Sequence, residues 1–147
     1  NNLMDSIAGL HEATLVAVQV CGTWSIRDVL AHLLSWNEYG SLVLKDWPQA
    51  DKATLAPWFG ADGNAQLLAA RADLDMIAIA DGLATYHRRM LRIFDRANDE
   101  MLASHGDYGW GEEGEMARFF YELAHHDLEH AEAIWQYRAQ LPPFVDQ

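Results

Sequence analysis

The chain has 147 residues, of which 10 are basic and 22 acidic, giving a formal net charge of −12, and half of them are hydrophobic. That length suits a single domain spanning residues 1–147, and the apolar fraction excludes a disordered acidic tail. The acid excess argues against nucleic acid, which needs basic groups on its phosphates, and against an anionic membrane surface.

The first predicted element is a helix over about Leu3–Gln19, with Leu3, Ile7, Leu10, Thr14 and Val18 as its apolar stripe. Cys21-Gly22-Thr23 breaks it. Ser25 then caps a second helix, Ile26 to about Lys45, and Asp28 stands three residues on, where a short acid completes most of a capping box. Pro48 lies just beyond its end, and a long connection from Trp47 to Gly63 carries the breakers Pro57, Gly60 and Asp62-Gly63. Asn64 is the expected cap of a third tract reaching about Ala97, with a kink near Asp75 or Gly82. The glycine-rich stretch His105–Gly114 reads as a loop. A last helix runs from about Glu115 to Gln140, and Pro142-Pro143 cannot continue it. No strand alternation stands out, so the expectation is an all-α bundle of four main helices.

The lone Cys21 gives no sign of an oxidising compartment. No apolar run reaches the roughly 18–20 residues of a membrane span. The opening Asn-Asn-Leu-Met-Asp lacks the basic region of a signal peptide. A cytoplasmic location is expected.

The densest chemistry lies on the last helix, in Ala124-His125-His126-Asp127-Leu128-Glu129-His130. His126 and His130 are four apart, so both imidazoles share a face and can reach one cation. That face continues through Phe119, Glu122, Leu123, Ala133, Ile134 and Tyr137, which turns the pair inward. His125 points aside, and His11 and His87 have no helical partner. Helix two offers a third donor, His32, on an inward line with Asp28, Trp36 and Tyr39. Three histidines would leave coordination positions open, as catalytic zinc sites do. The competing reading is that these histidines only pack, held by hydrogen bonds. His-Glu-x-x-His and Cys-x-x-Cys are absent, and the one Glu-x-x-His, at Glu122–His125, has no second copy to build a di-iron site.

Two segments carry a family resemblance: Gly22-Thr23-Trp24-Ser25-Ile26-Arg27-Asp28-Val29-Leu30-Ala31-His32-Leu33-Leu34-Ser35-Trp36, and His126-x-x-x-His130 followed by Ala131-Glu132-Ala133-Ile134. Together they resemble the DinB/YfiT-like family of metal-binding four-helix bundles, with some similarity to its ClbS/DfsB-like branch. The resemblance implies up-down-down-up topology, with the long connection between helices 2 and 3. It implies a centre at His32, His126 and His130 holding nickel, zinc or a similar divalent ion, and often a homodimer. It also implies a small-molecule substrate and no DNA binding. Such families include thiol-dependent S-transferases using bacillithiol or mycothiol, maleylpyruvate isomerases, and a hydrolase that detoxifies a reactive cyclopropane in a branch that need not use metal.

From the residues, three neutral imidazoles would leave a dication its full charge, able to acidify a bound water or thiol. Glu122, Asp28 and Glu129 are candidates to hold the far imidazole N–H groups, with Asp28 also wanted as a cap. Trp36 and Tyr39 are candidate pocket walls, and Arg88, Arg89 and Arg92 candidate partners for the carboxylates of an external low-molecular-weight thiol. The competing function is a non-catalytic dimeric helical binding or stress protein.

Overall fold

A computed structural model describes residues 2–141. In chain order these form α1 (Asn2–Ile7), α2 (Glu12–Ala17), β1 (Gln19–Cys21), β2 (Trp24–Ser25), α3 (Ile26–Lys45), α4 (Lys52–Leu55), a 3-10 turn (Ala56–Trp58), α5 (Gly63–Ala70), α6 (Met76–Arg96), α7 (Asp99–Ala103), β3 (His105–Asp107), β4 (Glu113–Glu115) and α8 (Met116–Arg138). The described chain is mostly helical, as expected for an all-α protein, with two small antiparallel strand pairs added.

The organising element is α3, fourteen of whose twenty residues are buried. A helix apolar on nearly every side must be covered on nearly every side. It packs most extensively on α6 and also meets α2, α5 and α8, while α1 lies on α8. The contact with α6 is close because Gly82 has no side chain: a Cβ there would stand 2.7 Å from Leu34 Cδ1. Two apolar clusters divide the interior. Ile26, Leu30, Leu33, Ile79 and Ile134 anchor one, and Tyr39, Leu55, Tyr108, Met116 and Phe119 the other.

Several expectations are corrected. The helix expected over Leu3–Gln19 is two short helices, because Gly9 takes a φ of +77° that ends α1. Its last residue, Gln19, opens the β1–β2 hairpin, in which Cys21 faces Trp24 around Gly22, at φ +57°. The third tract is divided at Asp75, whose carboxylate caps α6 by accepting from Ala78 N at 2.7 Å. Gly82 lies within α6 without breaking it, and α5 already starts at Gly63, so Asn64 is not its cap. The connection 47–63 holds α4 and the 3-10 turn. The stretch expected as a loop holds the β3–β4 hairpin, with Gly106 opposite Gly114. Each of those strands has three residues, too few to show a period of two. The last helix matches within two residues, and the prolines expected to stop it, Pro142 and Pro143, lie outside the described residues.

Candidate metal centre

The start of α3 is set by a complete capping box: the Ser25 hydroxyl accepts from Asp28 N at 3.1 Å, and Asp28 Oδ2 accepts from Ser25 N at 3.0 Å. This fixes the second turn, which carries His32 into the interior at 5% exposure. From α8 come His126 and His130, one turn apart and half-buried. The Nε2 atoms of His32 and His130 each lie 3.2 Å from Nε2 of His126. One donor atom from each ring falls within 4.8 Å of the other two.

An imidazole nitrogen offers one lone pair or one N–H. His126 Nε2 therefore meets its two neighbours only by splitting a single lone pair or a single proton. A cation would instead take a lone pair from each ring. Nitrogens bound to zinc at about 2.0–2.1 Å lie roughly 3.0–3.4 Å apart, depending on the angle between them; the two observed separations fall in that range.

The electrostatics favour the same state. Burial, reinforced by His126 and His130, holds the His32 imidazole down to about 3 from its usual 6.5. Burial, with His130 and His125, brings His126 to about 4. Burial also lowers His130, opposed by the charge of Glu129. All three rings are thus neutral at physiological pH, with lone pairs available. The donor set fits a divalent ion that favours imidazole, such as zinc or nickel.

A family model described as the DinB superfamily matches residues 1–134, a span that includes all three histidines. The chain belongs to the DinB superfamily. No curated protein and no solved structure matches it. Members of the DinB superfamily generally bind metal.

Around the DinB histidines the candidate residues take different places. Trp36 stands edge-on to His126, with ring centres 6.1 Å apart, and 5.0 Å from Tyr39. Tyr39 is fully buried, donates its hydroxyl to Tyr108 O at 2.7 Å, and has its phenol pushed up by burial, so it serves the core of the site wall rather than its surface. Asp28 is engaged in the cap. Glu122 pairs with Arg118 at 3.3 Å and Glu129 with His125 at 3.7 Å. None of these carboxylates is hydrogen-bonded to the triad, and the buried Nδ1 of His32 has no partner. Arg88, Arg89 and Arg92 are exposed on α6.

Helical spacing marks neither Trp24 nor Trp58 as a neighbour of the triad, whereas Asp127 is marked by its place beside His126 as a carboxylate able to tune a cation. Trp24 packs against His32, with ring centres 4.8 Å apart, from a strand, where helical spacing does not apply. Trp58 arrives from the 3-10 turn and donates its indole N–H to Ser35 O at 2.9 Å. Asp127, beside His126, accepts from Asn37 Nδ2 at 3.1 Å, and burial pushes its carboxyl up to about 6. It lines a cavity of about 380 Å³ between α6 and α8, with Met90, Phe94, Phe120 and Leu123. Among the described residues no helix is long and apolar enough to cross a membrane.

Proposed function

We propose that this DinB-superfamily protein is a divalent-metal-dependent enzyme acting on a small molecule, with His32, His126 and His130 as ligands of nickel or zinc. The observation that supports it is the convergence of three neutral Nε2 atoms, two of the separations being 3.2 Å. Among the described residues no further His, Cys, Asp or Glu joins the cluster, which leaves coordination positions open. A dication held there would supply Lewis acidity to a water or a thiol. The chain's own part is to present the lone pairs, to keep the imidazoles neutral by burial, and to limit water with the Trp24 and Trp36 rings.

The reaction class is thiol-dependent S-transfer or hydrolysis of a reactive electrophile. The thiol would come from outside, since Cys21 is exposed on β1. We read the helices as a four-helix bundle of up-down-down-up order, supported by the packing of α3 on α6 and α8 and of α1 on α8. We also read the protein as a cytoplasmic homodimer. The exposed apolar residues Leu91, Phe94 and Leu128 on α6 and α8 favour such a contact.

The test is turnover of an epoxide or alkyl halide by metal-loaded and chelated protein, with and without a low-molecular-weight thiol. Turnover should vanish on chelation, return with nickel or zinc, and be absent in His130→Ala. Dependence on thiol identifies transfer, and turnover without thiol identifies hydrolysis. Metal-independent turnover, or none under any loading, contradicts the reading and leaves a helical binding protein with packing histidines.

A further inference from the structure

Beside the histidines lies an open cleft of about 590 Å³, within the range of small-molecule sites. Three of the chain's six tryptophans, Trp24, Trp36 and Trp58, border it, all half-buried. Two of these rings are shared with the metal centre: Trp24 packs on His32, and Trp36 stands against both His32 and His126. Trp58 is held in place by its bond to Ser35 O and by Tyr39, 5.6 Å away between ring centres. The rest of the lining is residues 60–65, four of which are glycine or alanine, and Leu68.

The charge of the cleft is one-sided. Asp62, exposed, is its one charged lining residue. The nearby guanidinium groups are committed elsewhere. Arg27 donates to the carbonyls of Arg71, Ala72 and Leu74, and Arg71 pairs with Glu38. Indole faces attract flat rings and cations, whereas an anion here would meet a carboxylate, no Lys or Arg among the described lining residues, and a chain of net charge −12.

We propose that this cleft is the substrate-binding part of the histidine centre and takes a planar aromatic group, uncharged or cationic, holding it beside the triad. The inference rests on the metal-centre reading above and gives that centre a substrate class. It disfavours a substrate or thiol recognised through several carboxylates.

The test is titration of the zinc-loaded protein with 2-naphthylmethylammonium, 2-naphthalenemethanol and 2-naphthoate, followed by tryptophan fluorescence and calorimetry. The ammonium and the alcohol should bind about tenfold or more tightly than naphthoate, because all three offer the same ring to stack and only naphthoate brings a negative charge to the indole faces and Asp62. Trp58→Leu, checked for unchanged circular dichroism, should weaken both by about tenfold. Asp62→Asn, at an exposed position, should narrow the ammonium-to-naphthoate ratio and leave the alcohol unchanged. In cobalt(II)-loaded protein the naphthyl proton signals of the bound alcohol should broaden, and in zinc-loaded protein they should not.

Equal or tighter binding of naphthoate, or, in protein that has taken up cobalt, a bound probe whose signals do not broaden, overturns the inference. A protein that takes up metal without aromatic preference overturns it and leaves the metal reading intact. A protein that takes up no metal yet shows the preference overturns the metal reading and supports the cleft.

Discussion

His32 is the most buried of the three ligand candidates, and its Nδ1 has no hydrogen-bond partner. With its lone pair at Nε2 given to a cation, that nitrogen carries the proton beside Trp24 rather than on a carboxylate. Ligand histidines usually have such an outer acceptor, so packing must do the orienting here. Burial also sets a pH signature for the metal-free protein. Below 6.5 the unfolded chain takes up protons that folded His126 refuses until about 4 and folded His32 until about 3. Stability from these groups is therefore fully present above 6.5 and is lost as pH falls through that window. Asp127 works the other way: its folded carboxyl, at about 6, binds a proton before the unfolded one at 3.8, so its contribution falls as pH rises between those values. The melting temperature of metal-free protein should drop from pH 7 to pH 5, and Asp127→Asn should steepen the drop. A flat profile in both would contradict the burial of the imidazoles as neutral groups. His126 and His130 were legible because four residues on a helix is a facing distance, and His32 because it lies on the buried side of a capped helix. Trp24 and Trp58 were not, because a strand and a turn bring them in and no fixed spacing links either to His32.

At the scale of elements, α3 was legible to the residue because its cap is chemical: Ser25 and Asp28 bond reciprocally. Ser25→Ala should cost about 1 kcal/mol in urea unfolding, a typical value for lost caps. A cost near zero would mean that burial alone fixes the start of α3. The hairpins were not legible, because their strands are short and their contacts are with distant residues. Gly106 lies against the Trp47 indole, and Asp107 N donates to Pro48 O at 2.8 Å. Just past β3, Gly109 has φ +88°, and a Cβ there would press on the Tyr39 hydroxyl and stand 2.8 Å from Leu55 Cδ1. Gly109→Ala should destabilise by more than about 1 kcal/mol, since strain adds to the clash. Because Tyr39 touches Trp36, Trp58 and Trp110, the same change should alter tryptophan fluorescence. An unchanged spectrum would show that the hairpin does not brace the aromatic wall.

For the whole molecule, the charge of −12 is the property that most restricts partners. It opposes nucleic acid and anionic lipid, and among the described residues no Lys or Arg lines the cleft beside the triad. Among the apolar side chains left exposed on α6 and α8, Leu91 at 47%, Phe94 at 45% and Leu128 at 49% form the surface proposed above for a second copy. Sedimentation should show a dimer that Phe94→Asp converts to monomer, and a monomeric wild type would remove the dimer from the account. The central claim concerns the three histidines, and elemental analysis of protein grown with supplemented nickel and zinc tests it most directly. About one divalent ion per chain should be found, as one mononuclear site requires. It should be lost in His32→Ala, His126→Ala or His130→Ala proteins that keep their helical circular dichroism. Wild-type protein without metal, or a metal content unchanged in all three variants, would contradict the account.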